Sequence, residues 1–344
     1  MRTDMPDHRM HAADAPKKAR FVAGARPPLG GYDADIIILS FNRLAETLEA
    51  VGSALSQRGA AYHVTVLDQG SNPEVLRRLV SSFGHLANVG IYAVPENLGV
   101  AGGRNLATSL GHGQIIVALD NDAVFESKWV VARALRAFHQ RPTLGALGFN
   151  ILSADGDRPD RFSWGYPTRL LTRFRERFDT TTFVGAGHAI RRTTWNAVGG
   201  YDPALFFTWE EYDFCLNAIA LGWSVGYDGK LSVIHKISPE ERIPWSAGRM
   251  TYFVRNRLII SRKWGASRLA LAPRMLGYLL TATLTGRLSA TLEGIRAALK
   301  ADAPPPRKMP AAMRRYLHAN ETRHRGSWLS RLRFEIFART RSDP

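Results

Sequence analysis

A single cysteine, Cys215, stands among the 344 residues, which excludes an internal disulfide and fits a reducing compartment. It reads as a small buried apolar residue. No Cys/His cluster has the spacing of a structural zinc site. No uncharged run reaches the ~18 residues that a membrane-spanning helix needs. Residues Met1 to Arg26 mix Asp, His, Lys, Arg and Pro without an apolar core, so neither a secretory signal nor an anchor is read there. Residues 1–32 are expected to form a disordered leader.

Acid is scarce at one end only. Lys+Arg against Asp+Glu stand at 25 to 24 over residues 1–240 and at 21 to 6 over 241–344, so the net charge of +16 belongs almost wholly to the last hundred residues. There arginines alternate with apolar patches. Leu269 to Leu284 is mostly apolar but broken by Pro273 and Arg274, and Trp328, Leu329, Leu332, Phe334, Ile336 and Phe337 lie among Arg331, Arg333, Arg339 and Arg341. Such a basic amphipathic helical region suits the surface of an anionic membrane. A soluble helical domain with a basic outer face has the same composition.

What is present, with 45% apolar residues to bury, is an alternation of strands and helices from residue 33 to 235. Asp35 to Leu39 is a short apolar run of buried-strand type, and Leu44, Leu48, Val51 and Leu55 follow at helical spacing. Further strands are expected at Tyr62 to Leu67, Val89 to Val94 and Ile115 to Leu119, with helices around Pro73 to Phe83 and Ala101 to Leu110. The order βαβαβαβ predicts an α/β fold with a mostly parallel sheet covered by helices. Ligands of such sheets bind beyond the carboxyl ends of the strands. Ser40, Asp68, Asn97 and Asp120 all fall there.

At the end of the fourth strand, Leu119-Asp120-Asn121-Asp122 puts two carboxylates two residues apart. Mg²⁺ or Mn²⁺ held by one or two carboxylates plus substrate phosphates would suit that position, although a solvated turn can carry the same tripeptide. Asp68 can accept a hydrogen bond from the N3–H of uracil or thymine, which cytosine lacks, or can close an Asx-turn before Gly70. Asn97-Leu98-Gly99 with Gly102-Gly103 can free backbone N–H groups for a ligand or serve close packing, and Arg104 offers a fork of donors to phosphate or sugar oxygens. No Gly-Lys-Ser/Thr follows, which excludes a Walker loop.

Six ordered blocks carry a resemblance. Ile37-Ile38-Leu39-Ser40-Phe41-Asn42-Arg43, Val66-Leu67-Asp68-Gln69-Gly70-Ser71, Asn97 to Asn105, Asp120-Asn121-Asp122, Gly199-Gly200-Tyr201-Asp202-Pro203, and Phe206 to Asp213 together resemble the family 2 glycosyltransferases. The likeness is to the inverting, nucleotide-sugar-dependent, rhamnosyltransferase-like kind with the GT-A fold. It covers residues 33–235, so a catalytic domain is set at 33–240 and the basic region at 241–344.

The resemblance implies donor contacts from Leu39, Ser40, Asn42, Asp68, Asn97, Gly99, Arg104, Asp120 and Asn121. It implies metal contacts from Asp122, from Asp120 nearer the ribose, and from His235 at the end of a late strand. The catalytic base falls on Glu211, a Glu where the family has Asp, with Glu210 or Asp213 able to share the role; Trp209 and Glu210 would meet the acceptor. Asn217 stands where the family often has Arg. No Gln-X-X-Arg-Trp follows, which favours addition of one sugar over processive synthesis. The expected activity is transfer of a hexose or deoxyhexose from a UDP- or dTDP-sugar to a hydroxyl acceptor such as a glycolipid or polysaccharide precursor. The expected partners are an Mn²⁺ or Mg²⁺ ion and the cytoplasmic face of a membrane, with no nucleic acid. Rival readings are a nucleotidyltransferase on a similar sheet, which leaves the Glu210–Asp213 block without a purpose, and a non-catalytic membrane- or nucleic-acid-binding protein.

Overall fold

The computed structural model describes residues 18–236, 247–301 and 306–324. Its first half runs β1 (Arg20–Gly24), β2 (Ala34–Ser40), α1 (Leu44–Leu55), β3 (Tyr62–Gln69), α2 (Pro73–Phe83), β4 (Val89–Val94), α3 (Gly99–Ser109), β5 (Ile115–Leu119), β6 (Ala123–Phe125) and α4 (Val130–Gln140). The second half runs β7 (Leu144–Leu152), β8 (Arg177–Thr180), β9 (Gly187–Arg191), α5 (Arg192–Val198), α6 (Glu210–Ala220), β10 (Ser224–His235), α7 (Ala247–Lys263), α8 (Arg268–Leu284), α9 (Leu288–Lys300) and α10 (Ala311–Asn320). The strands form one ten-stranded sheet in the order β1-β4-β3-β2-β5-β9-β7-β10-β6, with β8 paired to β10.

Strands β4, β3, β2 and β5 are mutually parallel, as expected of βαβ units whose strands are buried on both faces. Antiparallel β9 then joins this half to the parallel pair β7 and β10. Even-numbered residues of β2 (Ile36, Ile38) enter one core with Val51 of α1, Leu79 of α2 and Phe138 of α4. Ile37 enters the opposite core with Ala107 of α3, Trp195 of α5 and Phe214 and Cys215 of α6. Period-two alternation thus divides the helices between two faces.

Both expected boundaries carry contacts across them. The leader is ordered from Arg20, because Arg20–Gly24 pairs antiparallel with β4 and lays Phe21 edge-on against Tyr92 at 5.4 Å. The stretch also supplies the outer edge of the sheet. The basic region is also tied to the rest of the fold. Asn256 of α7, fully buried, donates from Nδ2 to the carbonyls of Leu205, Phe207 and Thr208 at 2.8, 2.9 and 2.9 Å. Tyr316 of α10 accepts from the amide of Val225 and donates to its carbonyl. Polar groups clamp these helices to the sheet and to the loop before α6, whereas α9 packs mainly on α7, and α8 lies against α9 and α7. Pro273 lies inside α8 without ending it. Trp328 to Phe337 lie outside the described residues.

Candidate functional site

Ser40, Asp68, Asn97 and Asp120 do converge where the parallel strands end. Two loops there are stitched together: Ser71 Oγ accepts from the Asn42 amide at 2.9 Å, and Asn42 Oδ1 accepts from the Asn72 amide at 2.9 Å. Asn42, at φ +57°, therefore clasps the two loops through its amide and Oδ1. Asp68 closes the Asx-turn and leaves its second oxygen unused. Its Oδ1 accepts from Ser71 N at 3.1 Å in an Asx-turn, while its buried Oδ2 takes no hydrogen bond. Ser40 Oγ is likewise buried without a partner, and Leu39 is half-buried beside it. A buried acceptor left unmatched costs stability, and a ligand N–H or a water can satisfy it.

The glycine-rich turn is a packing device. Asn97 Oδ1 takes the Gly99 amide, Gln69 Oε1 takes that of Leu98, and the Phe206 carbonyl takes those of Val100 and Ala101. The amides of Leu98, Gly99, Val100 and Ala101 are thus taken within the protein. Gly99 lies at φ +71°, where a β-carbon would stand 2.3 Å from Phe206 O, and one on Gly103 would stand 2.7 Å from Gln69 Oε1. Asn121 donates to Thr47 Oγ1 at 3.2 Å.

The acids sort themselves by partner. Asp120 Oδ1 accepts from Arg104 at 2.6 Å, and the same guanidinium nitrogen donates to Gly185 O at 2.8 Å. Arg104, only 3% exposed, is thus a buried counter-ion and not an open phosphate fork. Asp213 is gripped by Lys263 of α7, at 2.7 and 3.0 Å, and by Asn217 at 3.1 Å, so both of its oxygens already accept hydrogen bonds. Asn217 also accepts from Arg307 at 3.2 Å, which brings an arginine to the position where sequence comparison misses one. Glu210 is 2% exposed, and burial followed by repulsion from Glu211 pushes it well above the carboxylate range. Glu211 lies against the Gly185 backbone near Arg104; burial raises it, with Arg104 opposing. Trp209, at φ +72°, gives its indole N–H to Phe253 O at 3.0 Å and stacks under Arg257 at 5.1 Å.

Asp122 and His235 form the other end of the crevice. His235 Nε2 stands 3.4 Å from Asp122 Oδ1, while its Nδ1 bonds Asp160 Oδ2 at 3.2 Å. Asp122 Oδ1 takes no hydrogen bond, and its other oxygen meets Arg43. Burial works against protonation of His235, but the two carboxylates carry it up to about 9. Burial would raise Asp122, yet His235 and Arg43 bring it down. A carboxylate on one ring nitrogen orients a histidine so that the other can meet a metal ion. Asp122 and His235 therefore fit a divalent cation; Asp120, turned to Arg104, does not join them. Among the described residues no three His, Cys, Asp or Glu side chains close round an ion by themselves, so remaining ligands would come from a diphosphate or water.

The glycosyl transferase family 2 model matches residues 35–198. An uncharacterised protein of Haemophilus influenzae is 30% identical over 171 residues, 48% of this chain and 90% of that protein. The chain belongs to glycosyl transferase family 2. A glucosyl-dolichyl phosphate glucuronosyltransferase of Haloferax volcanii is 26% identical over 170 residues, 47% of this chain and 53% of its own length. Among solved structures, the mannosyltransferase of Pyrobaculum calidifontis in complex with GDP-Man and Mn²⁺ superposes with a TM-score of 0.55 at 16% identity, over 92% of this chain and 88% of that one. GalNAc-T7 with UDP, GalNAc and Mn²⁺ gives 0.56 at 16%, over 80% and 59%. Both establish the GT-A fold.

Three groups in this family 2 site escape sequence reasoning. Arg43 was visible only as part of a motif. Asp160 lies in the loop after β7, where nothing in its neighbourhood marks it, yet it is 4% exposed and holds His235. His188 on β9 lies 3.0 Å from Tyr201 Oη and 3.4 Å from Arg104, and stacks on Phe183. Burial and then Arg104 hold His188 far below the usual histidine range, so it backs Arg104 as a neutral ring.

Proposed function

We propose that this family 2 protein is an inverting, divalent-metal-dependent glycosyltransferase that adds one hexose or deoxyhexose from a UDP- or dTDP-sugar to a hydroxyl acceptor. The observation that carries the reading is the sorting of carboxylates: Asp122 with His235 at one end, and Glu211 at the other as the only member of the Glu210–Asp213 block neither sealed in the core nor held by a lysine. Inversion needs one base. The acceptor O–H gives its proton to Glu211 as the oxygen bonds the anomeric carbon and the C–O bond to the diphosphate breaks. Arg104 and Asp120 keep Glu211 and the Gly185 loop in register. When bound between Asp122 and His235, Mn²⁺ or Mg²⁺ would offset charge on the departing diphosphate.

Asp68 supports the base preference, since its free oxygen can accept N3–H of uracil or thymine but finds only an acceptor at N3 of cytosine. A membrane-proximal, lipid-linked acceptor is supported by the basic helices beside the acid end and by the lipid-linked substrate in the name of the Haloferax relative. No helix among the described residues is long and apolar enough to cross a membrane, so such an association would be peripheral. The test is a thermal-shift and calorimetric screen of UDP-, dTDP-, GDP- and CDP-sugars with and without Mn²⁺. Metal-dependent stabilisation by UDP- or dTDP-sugars is expected. Tighter binding of CDP-sugars, or donor turnover undiminished in excess EDTA, would overturn the reading.

A further inference from the structure

Large exposed apolar side chains are rare on this molecule and strongly clustered. Of ten among the described residues, five fall between residues 269 and 288: Leu269 (84% exposed), Leu276 (58%), Leu280 (50%), Leu284 (73%) and Leu288 (42%). The first four lie on one face of α8, and Leu288 opens α9. The opposite face of α8 is occupied, with Leu271 buried and Met275 and Tyr278 packed against Val254 and Leu258 of α7. The ridge is therefore not a core face that failed to find its partner within the fold.

Charge specifies the occupant. No Asp or Glu occurs between Glu241 and Glu293, while Arg268 and Arg287 adjoin Leu269 and Leu288 in sequence and Arg296 is exposed on α9. A second copy docked ridge to ridge would set these arginines against their own counterparts on a chain carrying +16. Nucleic acid would use the cations but gain little from a leucine ridge that offers no ring for a base to stack on. A bilayer interface rich in anionic lipid satisfies both features, apolar side chains entering the acyl boundary and guanidinium groups meeting phosphate.

We infer that the outer face of α8, with Leu288, is a membrane-docking surface for an anionic bilayer. This deepens the membrane-proximal reading of the acceptor and takes its purpose from that reading. It also accounts for position. Tyr278 of α8 lies 6.1 Å from Phe253 of α7, and Phe253 lies 5.0 Å from Trp209, the residue preceding Glu210 and Glu211. An aromatic chain thus links the lipid-facing helix to the acid end of the site, so a hydroxyl at the membrane surface is presented on the side of the proposed base.

The experiment is flotation of the full-length protein with phosphatidylcholine vesicles, with and without phosphatidylglycerol, at low and high salt. Wild type should float with the anionic vesicles only. The combined Leu276→Gln, Leu280→Gln, Leu284→Gln variant should lose at least about tenfold in partitioning, because these side chains are already exposed and their replacement leaves the fold intact. Arg268→Gln, Arg287→Gln, Arg296→Gln should also weaken binding and flatten its salt dependence. Indifference of the wild type to anionic vesicles, or wild-type flotation of the leucine variant, would overturn the inference. So would a lipid-free dimer that the leucine substitutions dissolve. Binding of nucleotide-sugar and Mn²⁺, measured on the same proteins, reports on the enzymatic reading separately and is expected to be unchanged.

Discussion

Three acids in four residues, Glu210, Glu211 and Asp213, look equivalent in the sequence, and only their partners separate them. Asp213 is committed to Lys263, and Glu210 lies in the core with one oxygen unmatched. Glu211→Gln is therefore expected to lower kcat by about 10²–10⁴-fold while the donor dissociation constant barely moves, as steady-state kinetics and calorimetry would show. The base must be ionised to work, and burial raises Glu211 above its ordinary 4.5. The acidic limb of kcat/KM should accordingly lie above the normal carboxylate range, with activity present at higher pH and lost as pH falls through that value; Glu211→Gln should abolish the limb. At the other end, Asp160 holds His235 and would act on a bound metal ion through it. Asp160→Asn should weaken Mn²⁺ binding about 10–100-fold by titration calorimetry while kcat at saturating Mn²⁺ falls much less. An equal affinity for Mn²⁺ would remove Asp160 from the site.

At the scale of elements, the four parallel strands and the residues at their ends were legible because short Val/Ile-rich runs followed by Ser40, Asp68 and Asp120 have a period and a place. What escaped lay in side-chain hydrogen bonds between distant segments. The run Asn97 to Gly103 reads equally as a phosphate cradle or as close packing until Phe206 is seen to take its amides. A basic, partly apolar tail does not announce that Asn256 holds three carbonyls of a loop or that Lys263 neutralises Asp213. Lys263→Met should destabilise the protein by roughly 3–5 kcal/mol in urea, since it strands a buried carboxylate. The double variant Asp213→Asn, Lys263→Met should recover most of that loss. If Lys263→Met alone is neutral, α7 is not part of the catalytic unit.

For the whole molecule, these clamps make the basic helices and the sheet one cooperative body. Urea transitions followed by tryptophan fluorescence and by helical circular dichroism should coincide, and a chain ended at residue 240 should not give the native transition. Two resolved transitions would restore the boundary that composition suggests. The dependence on Asn256 also has a temporal side. A ribosome delivers Asp122, Asp160 and His235 first, so the cation end of the crevice can assemble while synthesis continues. The loop from Phe206 to Trp209, with three of its four residues at positive φ, emerges before the amide that fixes it, and Asp213 emerges about 50 residues ahead of Lys263. In the nascent chain the proposed cation ligands thus precede the contacts that fix the loop before α6, and the proposed transfer would have to wait until α7 has been made.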